Sequence, residues 1–217
     1  MPTTFTPRAL LLDMDGTLVD SDAVVERCWS GWAREHGLDP AEVLRTAHGR
    51  QGHATMAVLL PDRPVELNLA DNERMLAAER ADTEGVVPVP GAAAFLAALA
   101  GRPHALVTSA DAPLARVRMA AAGLELPRVL ITAESVGASK PDPEGFLKGA
   151  AALGFAPGDC LAFEDSGAGI AAARAAGVPV VGVGPRAVGH HPAAHAATLE
   201  SVTVTAGPDG TLTVTVA

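Results

Sequence analysis

Short apolar runs punctuate the chain, each closed by turn residues and followed by a helical pattern. Residues 8–12 form the first, and HALVT (104–108), RVLIT (128–132), CLAF (160–163) and VPVVGV (178–183) follow. These runs are apolar on both faces, as strands covered by helices on both sides must be. Ala-rich stretches at 91–100, 111–122, 142–153 and 166–176 lie between them and suit helices. Strand alternating with helix predicts βαβ units and a parallel sheet, an α/β fold. The tail SVTVTAGPDGTLTVTVA differs. Two alternating Thr/Val runs flank Gly-Pro-Asp-Gly, which predicts a C-terminal antiparallel β-hairpin.

Between residue 21 and about residue 86 the strand pattern stops. Val24, Val25, Cys28, Trp29 and Trp32 fall at helical spacing behind Ser21, a candidate helix cap. Asp39 followed by Pro40 marks another helix start, and 65–83 carries a further amphipathic run. An all-helical insert therefore follows the first strand and returns through VVPVPG, where two prolines stiffen the chain. The expected organisation is a core of residues 1–19 and 88–217, with a helical cap over 20–87 set as a lid above the end of the first strand.

That strand ends in LLLDMDGT, which breaks its own pattern. A buried strand has no use for Asp13 and Asp15, because burying one unpartnered carboxylate costs several kcal/mol or more. Both belong at the strand's end, either capping the turn with Gly16 or meeting something positive. The other strand ends carry polar groups too. Thr108 and Ser109 follow the second strand, Lys140 lies in GASKPDP after the third, and Glu164-Asp165-Ser166-Gly167 follows the fourth. In open parallel sheets functional groups gather at these carboxyl ends.

Each of these residues has a plainer use alone: a helix cap for Thr108-Ser109 or Glu164-Asp165, a solvated cation for Lys140. Together they fit the transfer of a phosphoryl group. Acids clustered this closely need a cation, and oxygen ligands without His or Cys fit Mg²⁺. Thr108 and the amides after Asp15 and Ser109 suit phosphoryl oxygens. Lys140 and Lys148 are the only lysines in an arginine-rich chain, so a compact point charge at 140 is a departure from habit. Pro141 favours an extended backbone at Lys140 that aims it inward. A metal-neutralised aspartate is an established nucleophile for forming an aspartyl-phosphate.

Composition sets the bounds. The 217 residues suit one domain or one with an insertion, and 48% are apolar, ample for a core. The net charge of −9 argues against nucleic acid or an anionic membrane as partner. Cys28 and Cys160 have neither CxxC nor metal spacing and read as free buried thiols of a reducing cytoplasm. No basic and apolar leader opens the chain, and no apolar run approaches a membrane span. The expectation is a soluble cytoplasmic protein with no obligate protein partner. His190, His191 and His195 look like a metal cluster on paper, but stand far in sequence from every acid-bearing strand end and are expected in a surface loop.

The joint pattern resembles the haloacid dehalogenase superfamily of aspartate-nucleophile phosphotransferases. DMDGT matches its first motif, LVTS its second, SKPDPEGF its third and FEDSGAGIAAARAAG its fourth. The resemblance covers nearly the whole chain. It implies a Rossmann-like core with an inserted helical cap, Asp13 as nucleophile, and Asp15 as general acid–base whose backbone carbonyl also meets Mg²⁺. It implies that Thr108 and Lys140 hold the phosphoryl group, with Ser109 and Gly16 beside them. Asp165 would ligate Mg²⁺ with Asp13, and Glu164 would be a ligand or lie just behind one.

The resemblance also narrows the subgroup. Dehalogenases lack the second acid, and the phosphonate-cleaving members need a cap lysine, which this insert does not have. The β-phosphoglucomutases carry a cap histidine where this chain has Val25, and their cap arginine corresponds to Gly52, with Arg50 close by. The nearest likeness is to sugar-phosphate and glycerol- or deoxyglucose-phosphate phosphatases, which implies a small phosphorylated sugar or polyol as substrate. His48, Arg50, Gln51 and His53 are then candidate readers of its hydroxyls. A sugar-phosphate mutase is the rival enzyme reading, and a receiver-type phospho-aspartate switch the non-enzymatic one, though a switch needs no lid.

Overall fold

The computed structural model describes residues 2–217. β1 (Thr3–Phe5) precedes β2 (Ala9–Leu12), which is buried throughout. β3 (Val19–Asp20) leads into α1 (Asp22–Glu35), α2 (Pro40–Ala47), α3 (Gly52–Leu59) and α4 (Val65–Ala81), and β4 (Val87–Pro88) leads out. Helix and strand then alternate: α5 (Ala92–Ala98), β5 (His104–Val107), α6 (Ala112–Ala121), β6 (Val129–Ile131), α7 (Glu144–Leu153), β7 (Cys160–Glu164), α8 (Gly167–Ala175) and β8 (Val180–Val183). β9 (Ala194–Ala196), β10 (Val202–Ala206) and β11 (Leu212–Val216) complete the chain.

Six strands form a parallel sheet in the order β6-β5-β2-β7-β8-β9. β2 sits inside it, with Leu12 opposite Leu106 on one side and Phe163 on the other. This register brings the residues after Leu12, Leu106 and Phe163 out along one edge. The period of two sends β2's side chains to opposite faces. Leu10 and Leu12 pack with Phe95, Leu114 and Phe163 on one face, and Leu11 packs with Val107, Phe146 and Ile170 on the other. The apolar strands of the sequence are thus buried by helices on both sides.

The helical insert has an apolar cluster of its own, built from Trp29, Trp32, Val43, Met56 and Met75. The two indoles meet edge to face at 5.6 Å, and Trp32 donates its ring N–H to Asp71 at 2.9 Å. Asp39 caps α2 by accepting from the Ala41 amide, with Pro40 in the first turn. Ser21 occupies the capping position of α1 but makes no cap bond; its hydroxyl goes to Asp15 instead. The insert's two connections pair as a short ribbon, Val19 opposite Pro88 and Asp20 opposite Val87.

β10 and β11 form the expected terminal hairpin, joined by a strand the sequence pattern did not reveal: β1 pairs antiparallel to β11, with Thr3 opposite Val216. β9 was also unforeseen. It adds a sixth parallel strand, so His195 belongs to the sheet edge and not to a loop, and its Nε2 meets the Gly184 carbonyl at 2.8 Å. His190 and His191 are exposed. Among the described residues no helix is long and apolar enough to cross a membrane.

Cys28 and Cys160 are free thiols. Burial pushes both up to about 11, with Glu79 and Asp82 adding to it at Cys28 and Asp159 at Cys160. At pH 8 only about one thiol in a thousand is then a thiolate, against roughly a quarter for an ordinary cysteine. The native protein should therefore react with a disulfide reagent at least ~100-fold more slowly than free cysteine, and at the ordinary rate once denatured. A stoichiometric burst from the native protein would contradict these environments.

Candidate active site

The carboxyl edge of the sheet collects the acids and the lysine that the sequence set at separate strand ends. Asp13 leaves β2 with its amide donating to the Phe163 carbonyl at 3.0 Å, which keeps it level with Glu164 at the end of β7. Lys140 reaches in from the loop before α7. Its buried ammonium donates to Asp13 Oδ1 at 2.5 Å, Glu164 Oε1 at 2.7 Å and the Val107 carbonyl at 3.1 Å, using all three of its hydrogens. Burial alone would lower this lysine, but Asp13 and Glu164 outweigh it and hold the ammonium above its ordinary range.

Asp13, Glu164 and Asp165 carry carboxylate oxygens that all lie within 4.8 Å of one another, and the three residues are buried. Burial pushes Asp13 well above the usual carboxylate range; Lys140 pulls against this, and Glu164 and Asp165 add to it. Burial first, then Glu164, pushes Asp165 up to about 7 against the pull of Arg186. Three acids are more than Lys140 and Arg186 balance between them. The donors are hard oxygens with no His or Cys among them, a set that fits Mg²⁺ or a similar cation. Glu164 is further fixed by the amide and hydroxyl of Ser166, which caps α8. Gly169 is required here, because a Cβ on it would run into the Glu164 carboxyl.

Asp15 points elsewhere. Its Oδ1 accepts the Ser21 hydroxyl at 2.7 Å, and its Oδ2 pairs with Arg118 of α6 at 2.9 Å. Asp15 is therefore not a simple turn cap, and its side chain stands apart from the three-acid cluster. The Gly16 amide donates to the Val19 carbonyl at 2.7 Å, closing a tight turn, so the free amide expected after Asp15 is not there. The amide after Ser109 is likewise committed, to Thr108 Oγ1 at 3.1 Å. That bond leaves the Thr108 hydroxyl its own hydrogen to donate. The Ser109 hydroxyl donates across to the Gly49 carbonyl of the insert at 2.9 Å. Gly49 has φ +77°, and a Cβ there would strike Ser166, so only glycine lets the insert come this close.

The insert lies over this edge and encloses a cleft of about 100 Å³. Asp13, Asp15, Thr108 and Ser109 form its floor. His48, Arg50, Asn72, Glu79 and Arg118 supply polar wall, and Val25, Trp29 and Met75 supply apolar wall. Burial, with Arg186 adding to it, holds His48 below its ordinary value, which favours the neutral ring. Two of the four residues expected to read hydroxyls do not line the cleft. Gln51 is buried; its amide donates to Ser139 Oγ at 2.8 Å and its side chain to the Ala133 carbonyl at 3.3 Å, fastening the insert beside Lys140. His53 sits half-buried on α3, away from the cleft.

Sequence reasoning missed Arg118, Glu79 and Arg186. Arg186 donates from Nε to Asp165 at 2.7 Å and from Nη1 to Asp22 at 2.6 Å, tying the cluster to the first turn of α1. Burial opposes its charge, but Asp165 and Asp22 hold it above its usual range. No local signal separates these side chains from the other arginines and glutamates of the chain.

The family model described as haloacid dehalogenase-like hydrolase matches residues 7–177. Hexitol phosphatase A of Escherichia coli is 42% identical over 210 residues, spanning 94% of this chain and 96% of that protein. Validoxylamine A 7'-phosphate phosphatase of Streptomyces hygroscopicus subsp. limoneus is 34% identical, spanning 81% and 85%. Among solved structures, a hydrolase from Pseudomonas syringae superposes with a TM-score of 0.78 at 21% identity, covering 87% of this chain and 92% of that one.

Proposed function

The chain belongs to the haloacid dehalogenase-like hydrolases, and from that premise we propose that it is a phosphatase of small phosphorylated sugars or polyols, hexitol phosphates first among them. The observation that carries the reading is Asp13. Its carboxylate is buried against Lys140 at the floor of a cleft whose opposite wall is the helical insert.

In this reading residues 1–19 and 88–217 are the catalytic core and 20–87 the lid. The substrate's phosphoryl group lies between Asp13, Lys140 and the Thr108 hydroxyl. Asp13 attacks phosphorus as the bond to the leaving oxygen breaks, and Asp15 gives that oxygen its proton. Asp15, now a carboxylate, takes a proton from water. The water oxygen attacks phosphorus, the Asp13–phosphoryl bond breaks, and inorganic phosphate leaves. Mg²⁺, held by Asp13, Asp165 and the Asp15 backbone carbonyl with Glu164 beside them, would neutralise the meeting of two anions. His48 and Arg50 read the hydroxyls of the leaving group.

Val25 argues against the mutase reading. It lines the cleft and carries no group that could move a proton between hydroxyls. The acidic chain and free thiols suit a cytoplasmic enzyme of small molecules. The test is phosphate release from hexitol, hexose, fructose and glycerol phosphates, a phosphopeptide and p-nitrophenyl phosphate, with and without Mg²⁺. Hexitol or hexose phosphates should be turned over best, chelation should abolish the activity, and Ca²⁺ should restore it poorly. Full activity after exhaustive chelation would remove the metal from the mechanism, and preference for the phosphopeptide would remove the lid.

A further inference from the structure

Arg118 is the most deeply buried guanidinium at the site, 4% exposed, and it is shared. Nη1 pairs with Asp15 Oδ2 and Nη2 with Glu79 Oε2, each at 2.9 Å. The two acids belong to different bodies: Asp15 follows the central strand of the core, and Glu79 stands on α4 of the insert. Its Nε has no partner among the described residues. Asp15 therefore has both oxygens held, one by Ser21 and one by Arg118. Each oxygen keeps a free lone pair, but the two bonds fix the direction of the carboxyl, and turning it to a leaving-group oxygen draws it away from at least one of them. If it lets go of Arg118, a buried cation loses a counter-charge, which is strongly unfavourable unless a second anion remains.

We infer that Glu79 is a positioning residue whose task is to neutralise Arg118 when Asp15 swings to the substrate. The proposal rests on Asp15 being the proton-transfer group, as proposed above. Because Glu79 rides on the insert, the compensation exists only when the insert is down on the core. Release of Asp15 is thereby tied to a closed cleft. Glu79 itself is buried, and burial raises its carboxyl above the usual range, with Asp15 and Asp111 adding to this and Arg118 pulling against it.

Without Glu79, Arg118 holds Asp15 as its sole counter-ion. Glu79→Gln should lower kcat on a hexitol or glycerol phosphate about 10²-fold, the low end of a lost general acid, with KM changed little. The loss on p-nitrophenyl phosphate, whose leaving group needs no proton, should be at least ~10-fold smaller. A glutamate that merely bound substrate hydroxyls would also discriminate between these substrates, so the double variant decides. Glu79→Gln with Arg118→Met removes the clamp together with its counter-charge and buries no lone ion. It should recover at least ~10-fold of the lost kcat on the alkyl phosphate, a large non-additivity between touching residues.

Equal losses on both substrates, or no recovery in the double variant when its melting temperature matches the parent, would overturn the inference. Asp15→Asn separates the two layers. It should abolish turnover of the alkyl phosphate, and if it does not, the reading of Asp15 fails first.

Discussion

Asp13→Asn should leave a folded protein with turnover reduced by roughly 10⁴-fold or more, the scale of loss when a covalent nucleophile is removed. The substitution keeps shape and one acceptor oxygen but cannot form an acyl-phosphate. Stability should change little. Burial beside Glu164 and Asp165 already disfavours the charged form of Asp13, and Lys140 keeps Glu164 at 2.7 Å when Asp13 becomes an amide. Phosphate release and a thermal melt measured on one preparation check both halves. Retention of more than about a hundredth of the parent rate, beyond a typical loss of acid–base assistance, would mean that another group attacks phosphorus. A fall in melting temperature of roughly 10 °C or more would mean that the loss is structural.

Lys140→Met should damage both activity and stability. Methionine fills much of the same volume but leaves Asp13, Glu164 and the Val107 carbonyl without the donor that joins them. Removing one member of a buried ion pair costs about 3–5 kcal/mol. For a chain of this length that is a fall in melting temperature of roughly 6–20 °C. Turnover should fall at least ~10³-fold, because the group that steadies both the nucleophile and the developing charge is gone. A millimolar divalent cation should restore part of the stability by taking up the carboxylates the lysine had neutralised, and none of the lost turnover. An unchanged melting curve would show that the three acids do not depend on Lys140.

The polar carboxyl edge of the sheet was legible because its residues contradict their surroundings. Carboxylates after runs such as ALLL, and a lysine in a chain that otherwise chooses arginine, stand out against an apolar background. The insert was legible because its tryptophans and valines keep a helical period while the flanking runs do not. Arg118, Glu79 and Arg186 were not, because their importance lies in what they touch across the fold. A buried arginine looks like a solvated one until α4 is laid beside α6. β1 and β9 were missed for a related reason. Three residues carry almost no period, and β1 is a strand only because it meets Val216, more than two hundred residues further on. Gln51's contacts were not legible either, because its backbone and side-chain amides are committed across the fold to Ser139 and Ala133.

The separate apolar cluster of the insert differs from the central strand in how far along the chain its partners lie, and by contact order that favours early packing of the insert. Trp29, Trp32, Val43, Met56 and Met75 can meet as soon as α4 has emerged, because every partner is local. β2 must wait. Its neighbours are residues from 104 and from 160 onward, and closing such distant pairs is slow compared with closing local ones. Until those residues are made, the strand that ends at Asp13 has no sheet partner to pair with. The four leucine and alanine residues before Asp13 are thus an apolar stretch that waits for its partners, and Asp13 and Asp15 stand directly behind it as flanking charges of the kind that oppose aggregation.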